Sequence, residues 1–338
     1  LVLLDSDNEY AYRLKKNVNI VQLTFNSSFA KSLVSMYAFP AKVLKKLSVN
    51  SFIAYYDFIS NCVTNVFEKT YDIAIDFYGY GSFVTAFLAT KIQAKKKATW
   101  LHDEKPYWMK SVQKYLCEYD KIYGVSQAVV DAFCREYPHY KDKAAVFYNV
   151  IDIEEIKRKS EQDEIIPFKE SFNIVTVGRL TEQKGYDIAI KAASILKKRK
   201  INFAWYAIGG GRDEKKLKKL VEKYCLENQF VFLGRKKNPY PYMKHCDLYV
   251  QPSRHEGYVI TLVEARALCL PILSSDIPSA REQIQDGING YVAELSAEDL
   301  ADKIEYLYNN PSQRKKTVEY LKEHPIDFST ELLKLEII

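Results

Sequence analysis

Short apolar runs rich in β-branched and aromatic residues alternate with longer segments of helical periodicity through both halves of the chain. This alternation predicts parallel sheets covered by helices, because parallel strands need a crossover connection that is usually a helix. The predicted strands are 1–4, 19–23, 73–77, 97–101, 121–125, 144–147, 173–177, 203–208, 230–233, 248–251 and 271–274. The predicted helices are 34–47, 52–69, 82–94, 127–137, 185–197, 213–226 and 258–268.

The chain is long enough for two α/β domains. Its 338 residues, of which 47% are hydrophobic, allow a core in each domain. Residues 153–168 are charged, lack periodicity and end near Pro167, so we predict a linker there between domains at 1–152 and 169–325. We predict no transmembrane helix, because no run of about 18 uncharged apolar residues occurs. The six cysteines form no CxxC pair or zinc-type spacing, which favours reduced thiols.

The segment 247–268 places two carboxylates around the start of a predicted helix. Glu256 lies just before the helix and Glu264 about two turns inside it, a spacing that suits the two ends of an elongated ligand. The amides near 259–261 carry the positive end of the helix dipole and suit a phosphate between the carboxylates. These features indicate a nucleotide sugar, with Glu256 on sugar hydroxyls and Glu264 on ribose hydroxyls. Two solvated glutamates at a helix start are the alternative.

A second loop follows the predicted strand 173–177 and carries Arg179 and Lys184. Both lie at the carboxyl end of that strand, where open parallel sheets bind ligands. A guanidinium fork and an ammonium group on one glycine-bounded loop can both reach a pyrophosphate. Basic loop residues are usually just solvated. Here, however, both cations and both carboxylates follow strands of one predicted domain, which favours their convergence.

With these segments the sequence resembles the retaining glycosyltransferases of family 4, which have the GT-B fold and build bacterial capsules, exopolysaccharides and lipopolysaccharide cores. The matching motifs are WLHDE (100–104), GVSQAVVDAF (124–133), YNVID (148–152), GRLTEQKG (178–185), IGGG (208–211), FLGRKKN (232–238), QPSRHEGYVITLVEA (251–265) and REQIQDGINGYV (281–292). The resemblance covers nearly the whole chain. It implies two Rossmann-like domains whose parallel sheets face a central cleft, with the last segment, 326–338, returning to the first domain.

The resemblance also implies roles for individual residues. Arg179 and Lys184 would bind the donor diphosphate, Glu256 the donor sugar and Glu264 the ribose. His102 would reach the donor sugar from the first domain; a structural histidine after a strand is the alternative. Of these five residues, all except Glu264 would take part in catalysis. The other donor-binding residues would be Gly178, Gly209, Gly257, Tyr258, Val259, Ile260 and Thr261. A plain tight turn is the alternative for Gly209. Gly79 and Gly81, between a predicted strand and helix, could admit an acceptor or only permit the turn.

The beginning of the sequence departs from the family pattern. Family members start with a strand, a glycine-rich loop and a helix before the strand that 1–4 represents, and this sequence lacks them. We therefore expect a truncated or unusually short first domain. Asp5-Ser6-Asp7 spells the DxD of metal-dependent transferases, and two carboxylates would suit a hard divalent ion. Those enzymes need a nucleotide-binding half before this motif, and Asp and Ser also favour a turn, so we expect neither a metal nor a cofactor.

Residues 13–46 hold seven basic residues and no acidic one. This stretch suits peripheral contact with a negatively charged membrane or with a lipid diphosphate, and a solvated face is the alternative. Nucleic acid could use the same charge, but no recognition motif accompanies it, so we expect no nucleic acid partner. We expect a cytoplasmic protein, with a peripheral position on the inner face of the cell membrane left open.

The expected function is transfer of a hexose or N-acetylhexosamine from a nucleotide-diphosphate sugar, with a UDP-sugar favoured. The acceptor would be a glycan or a lipid-linked acceptor in cell-surface polysaccharide synthesis. Two alternatives stay open: a GT-B sugar-nucleotide epimerase, and a degenerate nucleotide-binding subunit that supports a partner transferase. An epimerase needs no acceptor, which separates it from the transferase.

Overall fold

The computed structural model describes residues 2–3, 18, 21–22, 27–28, 49–63, 67, 69–79, 83–162, 168 and 170–334. These form two compact units, the first within 1–124 and 132–145, and the second within 125–131 and 146–337. The strands are β1 Val2–Leu3, β2 Val21–Gln22, β3 Tyr71–Asp76, β4 Ala94–Leu101, β5 Lys121–Gly124, β6 Ala144–Val146, β7 Phe172–Val177, β8 Phe203–Ile208, β9 Phe230–Gly234, β10 Leu248–Gln251, β11 Ile272–Ser275 and β12 Tyr291–Ala293. The helices are α1 Val49–Cys62, α2 Phe83–Lys91, α3 Gln127–Glu136, α4 Ile153–Ser160, α5 Tyr186–Lys198, α6 Glu214–Lys223, α7 Tyr240–Lys244, α8 Ile260–Ala267, α9 Pro278–Arg281, α10 Ala297–Asn309, α11 Pro311–Glu323 and α12 Ser329–Leu333.

The first unit contains a four-stranded sheet of order β3-β4-β5-β6. The β3–β4 and β4–β5 pairs are parallel, as the alternating pattern predicts. Trp100 on β4 and Ile122 on β5 are almost completely buried. The strands β1 and β2 form a separate parallel pair in which Val2 lies opposite Val21.

The second unit is built on a six-stranded parallel sheet of order β12-β11-β10-β7-β8-β9. Successive residues Ile174 and Val175 of β7 enter different apolar clusters, because alternate side chains point to opposite faces of a sheet. Every residue of β8 is buried, which explains its continuous apolar sequence. The strand order reverses between β7 and β10. Open α/β sheets bind ligands outside the carboxyl ends of the strands at such a reversal.

The segment predicted as a linker contains the helix α4 instead. The Asp152 carboxylate accepts a hydrogen bond from the Glu155 amide at 2.9 Å, which caps the first turn. Ile156 and Ser160 are buried, and α4 contacts α7 and α8. The remaining residues, apart from the partly buried Ile153, are charged. The apolar stripe has helical spacing, but the helix is only eight residues long, so the stripe contains just two isoleucines and is easily taken for part of a charged linker.

The boundary between the units also differs from the predicted one. Glu282 accepts hydrogen bonds from the amides of Gln127 and Ala128, both at 2.8 Å, which explains why 125–131 group with the second unit. In the last segment, Glu331 accepts a hydrogen bond from the Tyr148 amide at 3.0 Å. Residues 335–338 are not described, so the predicted return of 326–338 to the first domain stays a prediction.

Several sequence predictions fall on residues outside the described part. These are the helix at 34–47, the Asp5 and Asp7 pair, and most of the basic stretch 13–46. Among the helices that the structure describes, none is both long and apolar enough to cross a membrane. The six cysteines are free thiols.

Candidate functional site

The loop between β7 and α5 carries Arg179 and Lys184 and is fixed by its glycines. The Gly178 amide donates to the Ile208 carbonyl at 2.9 Å, so the loop starts against the end of β8. Gly185 ends the loop with φ +67°, and a Cβ there would lie 1.8 Å from the Pro252 carbonyl oxygen. Only glycine permits this approach, which brings the β7 loop onto the loop that follows β10.

Side chains join these two loops as well. The Arg254 guanidinium forms a bidentate pair with the Asp187 carboxylate, with both N–O distances at 2.8 Å. The Arg254 amide donates to the Gln183 carbonyl at 2.8 Å, and the Gln183 side chain donates to the His255 carbonyl at 3.0 Å. The two loops at the strand-order reversal are therefore cross-linked into one structure.

Lys184 and Glu256 form an ion pair within this structure. The Lys184 Nζ lies 2.6 Å from the Glu256 Oε1, and the side chains are 15% and 8% exposed. The Ser253 hydroxyl donates to the same oxygen at 2.6 Å. Lys184, predicted to bind the diphosphate, and Glu256, predicted to bind the sugar, thus contact each other directly, across 72 positions of the chain.

The turn Gly257–Val259 connects Glu256 to the start of α8. Val259 is buried in the core, so it can offer a ligand only its main chain, and the Tyr258 ring lies 5.7 Å from that of Tyr148. The Ile260 amide, expected to be available to a phosphate, donates to the Tyr258 carbonyl at 3.1 Å. The tight turn before the helix causes this difference.

Glu264 lies in the second turn of α8 and contacts α7. Its Oε1 accepts a hydrogen bond from the Tyr240 hydroxyl at 3.0 Å. Burial raises the pKa of the Glu264 carboxyl above its ordinary value, and the Tyr240 hydrogen bond partly opposes that rise. Glu264 is therefore a largely desolvated acceptor held by a neighbouring hydroxyl.

A pocket of about 460 Å³ opens at the carboxyl ends of β7, β8 and β9. It is lined by Val177, Gly178, Arg179, Ile208, Gly209, Gly210, Arg235, Lys236 and Pro239. Gly209 has φ +147°, and a Cβ there would lie 1.9 Å from the Gly178 carbonyl oxygen, so the close approach of two main chains requires glycine. Within the described residues the lining holds three cations and no carboxylate, which suits a polyanion.

Arg235 and Lys236 follow β9 and were not predicted from the sequence as site residues. A Cβ on Gly210 would lie 2.9 Å from the Arg235 Nε, so this glycine leaves room for the Arg235 side chain. The Lys236 Nζ lies 4.9 Å from the Tyr242 ring centroid, a cation–π contact that orients it. The position of both residues within the motif FLGRKKN, at the end of a strand, is the signal that could have identified them.

His102 belongs to the first unit. Its Nε2 lies 2.7 Å from the Phe77 carbonyl, which can only accept, so Nε2 carries the proton. Burial lowers the pKa of His102, while the Phe77 bond and the nearby Asp76 raise it. The balance of these effects lowers the pKa of His102 and favours the neutral ring. A Cβ on Gly79 would lie 1.4 Å from the Trp100 carbonyl oxygen, so the close approach of these two main chains requires glycine.

Metal-binding geometry is absent from the part of the chain that the structure describes. No three His, Cys, Asp or Glu residues there lie together in a way that could hold an ion. Asp5 and Asp7 are outside that part.

Comparison with known proteins identifies the type of fold. Residues 157–324 match the family "Glycosyl transferases group 1". An uncharacterized glycosyltransferase of Methanocaldococcus jannaschii is 33% identical over 172 residues, which cover 50% of this chain and 40% of that protein. The Campylobacter jejuni N-acetylgalactosamine-N,N'-diacetylbacillosaminyl-diphospho-undecaprenol 4-alpha-N-acetylgalactosaminyltransferase is 30% identical over 184 residues, 51% of this chain and 49% of that protein. The chain thus spans about half the length of these curated relatives.

A solved structure extends the comparison to both units. Anabaena HepE, crystallised in complex with UDP and glucose, matches with a TM-score of 0.69 at 17% identity, over 95% of this chain and 85% of that one. This likeness confirms the predicted GT-B fold with its two Rossmann-like domains.

Proposed function

We propose that this chain, whose second unit carries the group 1 glycosyl transferase segment, transfers a sugar from a nucleotide-diphosphate sugar to an acceptor hydroxyl. The observation that carries the proposal is the charge arrangement at the reversal of strand order. Among the residues that the structure describes, three cations and no carboxylate line the pocket, and a mostly buried Lys184–Glu256 pair lies on the adjoining loops. A diphosphate suits the cations, and a carboxylate suits the hydroxyls of a sugar.

The donor is a UDP-sugar that carries a hexose or an N-acetylhexosamine. Support for uridine comes from HepE, which shares the fold and was crystallised with UDP and glucose. Arg179 and Arg235 bind the diphosphate, and Lys184 bridges it to Glu256. Glu264, desolvated and held by Tyr240, accepts hydrogen bonds from the ribose hydroxyls.

The acceptor is a glycan or a lipid-linked glycan of a cell-surface polysaccharide. The name of the C. jejuni relative describes transfer to a diphospho-undecaprenol-linked sugar, which supports this acceptor class. The basic stretch 13–46 would attract such a lipid diphosphate or an anionic membrane surface.

The reaction retains the configuration at the anomeric carbon. The bond between that carbon and the diphosphate oxygen breaks through an oxocarbenium-like state, and the diphosphate leaves with the electron pair. The acceptor hydroxyl attacks on the same face, and its proton passes to the departing phosphate oxygen. Arg179 and Lys184 stabilise the leaving charge, so the reaction needs no metal. Glu256 binds sugar hydroxyls, and His102 orients the sugar or stabilises charge near its anomeric carbon.

The first test is a thermal-shift screen against UDP-, GDP- and ADP-sugars, since a ligand of the native state raises the melting temperature. Calorimetry with UDP then compares Arg179→Ala with Lys237→Ala, an exposed neighbour of the pocket that does not line it. Loss of charge-assisted hydrogen bonds worth about 1.5–3 kcal/mol should weaken binding by roughly ten- to a hundredfold in Arg179→Ala only. Equal affinities in the two variants would refute the diphosphate assignment.

Turnover measurements test the chemistry. Product formation that requires an acceptor excludes an epimerase, and proton NMR of the first product gives the linkage. A β-linkage from an α-linked donor would rule out retention, and activity that is lost in EDTA and restored by manganese would rule out the metal-free reaction. His102→Ala should lower turnover more than donor affinity, because its contact strengthens in the transition state.

A further inference from the structure

Gln251 is a polar residue at the end of a fully buried strand. Its side chain is only 1% exposed, where an apolar residue would be expected. Its Oε1 accepts hydrogen bonds from the Thr261 hydroxyl at 2.9 Å and from the Tyr249 hydroxyl. Its Nε2 donates to the Ser253 hydroxyl oxygen at 2.6 Å. The amide is therefore held from both ends, which fixes its orientation.

The direction of the hydrogen bonds then determines the proton of Ser253. An amide nitrogen only donates, so the Ser253 oxygen accepts from Gln251. The single hydroxyl hydrogen of Ser253, which is completely buried, is left for Glu256 Oε1 at 2.6 Å. The relay runs one way, from Thr261 through Gln251 and Ser253 to Glu256.

This relay makes the two oxygens of Glu256 unequal. Oε1 accepts from both Ser253 and Lys184, each at 2.6 Å. Among the residues that the structure describes, Oε2 has no protein donor. Oε1 thus accepts from protein donors, and Oε2 can accept a hydrogen bond from a ligand hydroxyl.

We infer that Gln251 and Ser253 are positioning residues, which orient Glu256 so that Oε2 faces the hydroxyls of the donor sugar. This inference rests on the proposed function of Glu256 as the sugar-binding carboxylate. Thr261 links the relay to the first turn of α8, so the sugar carboxylate and that helix start share one buried hydrogen-bond network.

The main chain of the same loop is held separately. The Ser275 hydroxyl donates to the Ser253 carbonyl, and the Ser279 hydroxyl donates to the Glu256 carbonyl at 2.9 Å. Loss of the Ser253 hydroxyl therefore leaves the loop backbone anchored. Its effect on turnover reports on the orientation of the Glu256 side chain.

The experiment is a double-mutant cycle of Ser253→Ala and Glu256→Gln. Turnover is followed as UDP release from UDP-glucose or UDP-N-acetylglucosamine, whichever the wild type uses, and calorimetry gives the affinity for UDP, which carries no sugar. Ser253→Ala should lower kcat by roughly tenfold or more and change the Kd for UDP by less than about twofold. In the Glu256→Gln background, Ser253→Ala should lower kcat by less than about twofold, because Glu256, the residue through which Ser253 acts, is already altered.

The control is Ser274→Ala, which removes an equally buried hydroxyl that bonds only main-chain carbonyls. The inference would be overturned if Ser253→Ala lowered kcat by the same factor in both backgrounds. It would also be overturned if Ser253→Ala lowered kcat only as much as Ser274→Ala does. Either result would leave the proposed function intact. Full turnover in Glu256→Gln would instead refute the proposed role of Glu256, and the inference with it. Unchanged UDP binding in each variant shows that it is folded.

Discussion

Replacement of Lys184 by Met should destabilise the second unit strongly, although it removes only one side chain from a loop. At 2.6 Å and an effective dielectric constant of about 20, the attraction between Lys184 and Glu256 is about 6 kcal/mol. Desolvation of the two ions offsets much of that attraction in the wild type. In the variant, the Glu256 carboxylate, which is only 8% exposed, loses its cation, a change that typically costs about 3–5 kcal/mol.

The lower end of that range applies because Ser253 still donates to the Glu256 carboxylate. We expect a loss of about 3 kcal/mol, which for domains of roughly 150–250 residues lowers the melting temperature by about 6–12 °C. Calorimetric unfolding of Lys184→Met and of Lys191→Met, an exposed lysine on α5, measures the difference. The Lys191 variant should melt like the wild type.

A double variant shows whether the lost stability comes from the missing Lys184–Glu256 attraction or from the buried Glu256 carboxylate that is left without a cation. Lys184→Met combined with Glu256→Gln removes the uncompensated carboxylate, so it should recover at least half of the lost stability. If Lys184→Met melts within about 1 °C of Lys191→Met, Glu256 is solvated when unpaired and the reasoning fails.

Two further predictions concern other parts of the site. Tyr240→Phe should weaken UDP binding by roughly five- to tenfold at pH 7 and leave 2′,3′-dideoxy-UDP unaffected, as calorimetry can show. Because burial raises the pKa of Glu264, its carboxylate should be protonated, and UDP affinity should fall, at a higher pH than for an ordinary glutamate. Without the Tyr240 hydroxyl, which lowers that pKa, the fall should occur at a still higher pH in the variant. Gly185→Ala should destabilise the protein far more than Gly287→Ala. Both glycines have positive φ, but of the two new Cβ atoms only the one at Gly185 meets another atom, the Pro252 carbonyl oxygen. The Gly287 variant should lose about 1–2 kcal/mol in urea unfolding, and equal losses would contradict the close approach.

The sequence predicts the strands of the second unit well because their apolar runs are bounded by glycines and polar loops. The predicted strands 203–208 and 248–251 coincide with β8 and β10. The helix α4 was missed because its few apolar positions lie among charged residues in a helix of only eight residues. The three-residue strand β12 was missed as well, although β6, which is equally short, was predicted.

The candidate site could be predicted only in part, because its geometry depends on strand order. Local motifs identify Arg179, Lys184, Glu256 and Glu264, each close to a strand or helix end. The motif FLGRKKN marks Arg235 as a residue at a strand end, but its place in the same pocket as Arg179 follows only from the order of β7, β8 and β9 in the sheet. Contacts between residues about 70 positions apart, such as the Lys184–Glu256 pair, leave no periodic signal in a single sequence.

The floor of the pocket consists of main chain, because Gly209 rests directly on the Gly178 carbonyl. Peptide groups are common to all residues, so exchanges elsewhere in the lining leave that floor in place. Since Arg235 is assigned to the diphosphate that all proposed donors share, discrimination between nucleotides falls to lining side chains such as Lys236 and Pro239. Under the proposed function, libraries randomised at these two positions should yield folded proteins with altered nucleotide preference, so related sequences can diverge there without rebuilding the sheet.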